Sequence, residues 1–124
     1  MRAPEPLMGQ RVVADPQAID AFVAAQPARV TVLRLAPDEA FIVGAAATRL
    51  DDPHAIIEHE HGFVALAVDR AVVERHVEWD LPGGGTVAQG AIAGVPAKLA
   101  WLPDGGAWIV THAAYVAELQ DRLR

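Results

Sequence analysis

Proline, glycine and aspartate cut this sequence into short apolar runs, and that punctuation constrains the fold more than any other feature. Nine prolines and ten glycines occur in 124 residues, and most runs between them have the length of strands rather than long helices. Val30 to Leu35 is β-branched and leucine-rich, Ala36-Pro37-Asp38-Glu39 carries turn chemistry, and Ala40 to Gly44 is apolar again. Proline presets φ and Asp38 can bond the following backbone, so this stretch is expected to form a hairpin.

The same reading extends along the chain. Residues 1–15 hold early prolines and no sustained periodicity, so an extended lead-in is expected there, followed by a single domain over 16–124. Asp15-Pro16 supplies an N-cap acceptor and a proline at the first helical position. Ile19, Phe22 and Val23 then follow at helical spacing, up to a stop before Pro27. After a loop at Asp51-Asp52-Pro53, Ala55 to Glu58 and Gly62 to Val68 read as two strands around a turn at His59-Glu60-His61. Asp69 can cap a helix with Val72, Val73, His76 and Val77 on one face, broken by Leu81-Pro82-Gly83-Gly84-Gly85. Gly90 to Leu102 reads as one long strand, bent or pushed to an edge by Gly94 and Pro96. Pro103-Asp104-Gly105-Gly106 turns the chain into Ala107 to Val110, and Thr111 caps a last helix with Tyr115, Val116, Leu119 and Leu123 as its stripe. The expected fold class is α+β, a mainly antiparallel sheet with two or three helices on one face.

Composition narrows the chemistry. The length suits one domain with a sizeable core. The chain has no cysteine, which excludes disulfides and thiolate metal sites and is compatible with a reducing cytoplasm, the expected location. Met-Arg-Ala-Pro-Glu-Pro lacks the apolar stretch of a signal peptide. The most apolar run, Ala40 to Ala47, is far shorter than the roughly 20 residues of a membrane span. Net charge is −6 and the arginines are scattered from Arg2 to Arg124, so neither a membrane nor nucleic acid is an expected partner.

The most suggestive cluster is His54, Glu58, His59, Glu60 and His61, with His76 and His112 elsewhere. Alternation along a strand puts His59 and His61 on one face. With His76, His112 or a carboxylate they can hold zinc or iron. A small metal-dependent enzyme or metal-binding protein with His59, His61 and His76 as ligands is therefore one reading, and a solvated turn tip is the other. No catalytic residue is assigned. Serine is absent, so no serine elbow exists, and Thr31, Thr48, Thr86 and Thr111 lie in no nucleophile motif. Gly83-Gly84-Gly85 fails as a phosphate loop. The acidic pairs Asp51-Asp52 and Asp38-Glu39 fall in expected loops and read as solvated. Trp79, Trp101 and Trp108 lie near element ends, where tryptophan serves either the core or a partner interface.

Three stretches carry a family resemblance over about residues 29–124. Leu35-Ala36-Pro37-Asp38-Glu39-Ala40-Phe41-Ile42 is similar to a leucine, proline-aspartate-glutamate and apolar-strand hairpin of the gamma subunit of heterotetrameric sarcosine oxidase. Gly62 to Val77 followed by Asp80-Leu81 resembles its strand, helix and aspartate-leucine element. Val95 to Leu99, Trp108 to Val110 and Tyr115 to Leu119 resemble its closing hairpin and final helix. The resemblance implies part of the aminomethyltransferase-like folate-binding fold. It also implies an accessory piece that binds no cofactor itself, while flavin and folate are held by larger oxidase-type subunits. No catalytic residue carries over. A related branch bears a cysteine motif that this chain lacks. Self-association, and a stand-alone site for a folate-like ligand or small anion, remain the other expectations.

Overall fold

The computed structural model describes residues 3–44, 49–80, 87–102 and 105–124. Among the described residues, seven strands and three α-helices make an α+β fold, with hydrogen-bonded strand order β2-β3-β1-β4-β7-β6-β5. In sequence these are β1 (Glu5–Val13), α1 (Pro16–Ala25), β2 (Val32–Ala36), β3 (Glu39–Val43), β4 (Ile56–Val68), α2 (Arg70–His76), β5 (Val87–Ile92), β6 (Val95–Trp101), β7 (Ala107–His112) and α3 (Val116–Leu123). Contacts divide the chain into two compact units, Leu7–His61 and Met1–Pro6 with Gly62–Arg124. Among the described residues no helix is long and apolar enough to cross a membrane. The Gly83-Gly84-Gly85 connection with Leu81, Thr48 and Thr86, the end of the Ala40 to Ala47 run, and Pro103-Asp104 lie outside the described residues.

In the Leu7–His61 unit, local chemistry produced the elements it promised. The Asp15 carboxylate accepts from the Gln17 N–H at 3.0 Å, Pro16 opens α1, and Gln26 ends it in an extended conformation before Pro27. Ile19 and Phe22 bury one face of α1 among Val12, Ala14, Ala40 and Ile42. β2 and β3 form the expected antiparallel hairpin, with a bulge between Arg34 and Ala36.

The expected lead-in is instead mostly a strand. β1 pairs antiparallel with β3 from Gly9↔Val43 to Val13↔Glu39. Pro4 precedes it and its one proline, Pro6, lies at its start, where proline is tolerated, and Leu7, Gln10 and Val12 are buried. Gly9 lets two backbones approach: a Cβ there would overlap the Ile42 carbonyl oxygen and stand 3.0 Å from the Phe41 ring. A glycine, a glutamine and an arginine in the middle of β1 hid its strand character.

In place of two strands around a turn, β4 runs unbroken through His59-Glu60-His61. No proline, aspartate or glycine interrupts Ile56–His61, so nothing turns the chain there. The polar residues belong to a strand rather than to a tip.

The Gly62–Arg124 unit holds a four-strand antiparallel segment, β4-β7-β6-β5. Leu66, Val68, Ile92, Val95, Leu99 and Ile109 point to one face, where Val73 of α2 and Leu119 and Leu123 of α3 pack on them. Asp69 precedes α2 as expected, but its carbonyl oxygen, not its carboxylate, accepts the Val72 N–H at 3.0 Å.

The long strand expected over Gly90 to Leu102 is in fact a hairpin. Ala93 and Gly94, with φ of 50° and 78°, form its two-residue turn, the conformation that matches the twist of paired strands. Alanine rarely takes positive φ, so the dipeptide gave a weak turn signal. Pro96 is tolerated for a geometric reason. Ile92↔Val95 closes the turn, so Ala91↔Pro96 is the next, non-bonded pair, where an N–H would not face β5. Thr111 is likewise not a helix cap. It lies within β7, its hydroxyl donates to the Pro96 carbonyl at 2.9 Å, and α3 starts from a 3₁₀ turn at Ala113–Tyr115.

Candidate functional site

His59 and His61 do share a face of β4, as alternation predicts. Their rings stack 6.1 Å apart at 9° and both are exposed. His76 is the last residue of α2. Among the described residues no group of three His, Asp or Glu side chains is arranged to hold a metal ion. The neighbouring acids take part in an ion network. Arg11 Nε donates to Glu39 Oε1 at 2.5 Å, and Glu39, with smaller contributions from Glu58 and Glu60, holds the Arg11 guanidinium above its usual pKa.

Asp52 is more than a solvated loop acid. Its two oxygens accept the Asp15 N–H at 2.9 Å and the His54 N–H at 2.8 Å. These donors, Asp15 first, hold its carboxyl below the usual aspartate range. Asp52 thereby ties its loop to the start of α1, a structural task.

The tryptophans separate by position. Trp79 donates its indole N–H to the Ala91 carbonyl at 3.1 Å. Its ring lies against Gly90, where an added Cβ would stand 3.1 Å from the indole nitrogen. Trp101 carries the Arg70 guanidinium 4.9 Å from its ring centre. Both pack against the core beneath α2 and α3. Trp108 projects from the opposite sheet face, half-buried, because it alternates with Ile109.

That opposite face is ordered by register. One cross-strand row is Val87–Ala100–Trp108–Ala67, and the next is Gln89–Lys98–Val110–Ala65. Ala91 then faces Pro96, and His112 faces Phe63. An open groove of about 330 Å³ lies here, with Gln89, Ala91, Pro96, Lys98, Val110 and His112 along it. Val110 is a buried floor, whereas Gln89, Ala91, Pro96 and His112 are exposed. Lys98 Nζ stands 4.8 Å from the Phe63 ring centre. The His112 ring is 5.1 Å from the same ring, tilted by 34°. None of the described lining residues is acidic, and Lys98 is the chain's sole lysine. Sequence reasoning missed this site because its turn went unrecognised. Read as a two-residue turn, Ala93-Gly94 would have placed Gln89 opposite Lys98.

No protein-family model matches the sequence, and no curated protein matches it. Among solved structures, it is similar to a chain of the heterotetrameric sarcosine oxidase from Corynebacterium sp. U-96, determined in complex with pyrrole 2-carboxylate. The TM-score is 0.71 at 14% identity, and the match covers 98% of this chain and 80% of that one. At this identity the likeness is one of fold, and at that level the resemblance read from the sequence holds.

Proposed function

We propose that this chain is a non-catalytic accessory subunit of a hetero-oligomeric, sarcosine oxidase-type amine oxidase. In this reading it works in the cytoplasm beside larger subunits that hold flavin and folate. One observation carries the proposal. The overlay takes in 98% of this chain and 80% of the matched one at a TM-score of 0.71. The matched chain is therefore only slightly longer, a small component of a heterotetramer rather than a domain inside a large subunit.

The side-chain inventory supports the same reading. Oxidation of an amine needs a cofactor for the electron transfer, and the protein supplies binding and positioning groups. Cysteine and serine are absent from the sequence, and the polar residues with close partners serve the fold, as Asp52 and Arg11 do. For docking, the Val87–Ala100–Trp108–Ala67 row offers one large aromatic among small side chains. An anchor of that kind dominates many interfaces.

The test is native mass spectrometry of the chain, tagged at its own locus and purified gently from its native host. The expected result is a stoichiometric complex with larger, flavin-bearing chains. Trp108→Ala is expected to weaken that complex by about 30-fold, the effect of roughly 2 kcal/mol at an anchor. A lone monomer or a homodimer overturns the proposal.

A further inference from the structure

We propose that the groove between β5, β6 and β7 binds a small monocarboxylic acid with an apolar body. This proposal is independent of the accessory-subunit reading, and either can fail without the other.

The chain has a net charge of −6, yet the groove is lined by its sole lysine and by none of its acidic residues among those described. An anion is repelled by most of this surface and attracted at this spot. Lys98 lies on an interior strand, and its ammonium is drawn over Phe63, 4.8 Å from the ring centre. His112 approaches the same ring from β7 at 5.1 Å, and Gln89 faces Lys98 directly across the β5–β6 ladder. Lys98, His112 and Gln89, three residues whose side chains can donate hydrogen bonds, thus stand along one groove.

Val110 forms the floor, and Pro96 and Ala91 form apolar rim, so the body of the ligand is expected to be apolar. About 330 Å³ lies near the lower end of ligand-pocket volumes, roughly 300–1,000 Å³, which suits a small acid. A phosphate dianion is less well served. Such groups are commonly held by bidentate arginine or by helix N-terminal N–H groups, and neither lines the groove. The walls are fixed in advance: Thr111 bonds the Pro96 carbonyl at 2.9 Å, and Trp79 holds β5 through the Ala91 carbonyl at 3.1 Å.

The sole lysine makes the test direct. Reductive ¹³C-methylation of the full chain keeps the charge and labels only Lys98 and the N-terminal amine. Benzoate is the probe, titrated against the labelled lysine by NMR. Backbone amides of Val110 and His112 in unmodified protein give a parallel reading. The expected result is a saturable shift with a dissociation constant on the order of 1 mM or tighter. His112→Ala and Gln89→Ala should each weaken binding several-fold, and Lys98→Met should remove the amide shifts. Three outcomes overturn the proposal. They are no saturable shift with benzoate, equal shifts with benzyl alcohol, which lacks the charge, or equal affinity for inorganic phosphate, which lacks the apolar body.

Discussion

Gly9→Ala is the substitution that best tests the β1–β3 packing. An alanine Cβ would overlap the Ile42 carbonyl oxygen, stand 2.9 Å from that carbonyl carbon and 3.0 Å from Phe41 Cζ. Carbon atoms prefer about 3.5–4.0 Å, so the strands must part by at least several tenths of an ångström. β1 cannot yield alone, because it is registered to β3 from Gly9 through Val13 and buries Leu7 and Val12. Forcing extra volume into such a contact costs typically about 1–3 kcal/mol, occasionally more. Replacing glycine also restricts the unfolded chain, a gain of about 0.4–1 kcal/mol. With a backbone atom as the obstacle, the cost should lie at the top of its range, leaving a net loss of about 2–3 kcal/mol.

Gly44→Ala supplies the control. Gly44 has φ of +73° and nothing within 4 Å of an added Cβ, so only left-handed strain of about 1–2 kcal/mol opposes the same entropic gain. Its net loss should be about 0–1.6 kcal/mol, below that of Gly9→Ala. Urea unfolding of both variants against the parent chain measures the difference, with an unchanged m-value as the condition for comparing midpoints. Should Gly9→Ala prove no more destabilising than Gly44→Ala, the close approach of β1 to β3 is not what glycine serves at position 9.

Three further outcomes are expected. Ala93→Asn should stabilise the β5–β6 hairpin by about 0.5–1 kcal/mol, because asparagine tolerates the positive φ of the turn better than alanine; a fall in the urea midpoint would contradict that turn geometry. Leu119→Ala, which empties a fully buried position between α3 and the sheet, should cost about 2–5 kcal/mol, read from the same unfolding curve. The Asp52 carboxyl is held below its usual pKa by two backbone donors, so its contribution is in full force above the unfolded value near 4 and is lost as pH falls through the lower folded value. Asp52→Asn should therefore be less stable than the parent at pH 7, and the gap should narrow toward about pH 2; an unchanged gap would show that ionisation at Asp52 plays no part.

The elements legible in the sequence are those made by adjacent residues. Asp15-Pro16 capped α1 where an acceptor and a preset φ stood side by side, and Pro37-Asp38 turned β2 into β3. The elements that were hidden depend on partners far along the chain. β1 is stabilised by β3, and its glycine looks like a loop residue until Ile42 is placed against it. β4 carries His59, Glu60 and His61 because a strand tolerates exposed polar residues where no turn residue interrupts it. The groove is the extreme case, since no motif within one segment contains it. Side chains alternate faces with period two, so a one-residue slip in a strand reverses every side chain on it. With Ala93-Gly94 closing the turn, Lys98 shares a face with Gln89, Val110 and Phe63. A slip of one residue along β6 would send Lys98 to the face covered by α2 and α3, against Leu66, Ile109 and Leu119. An ammonium buried there without a partner is strongly unfavourable, so the core that selects the register also sets the lysine at the groove.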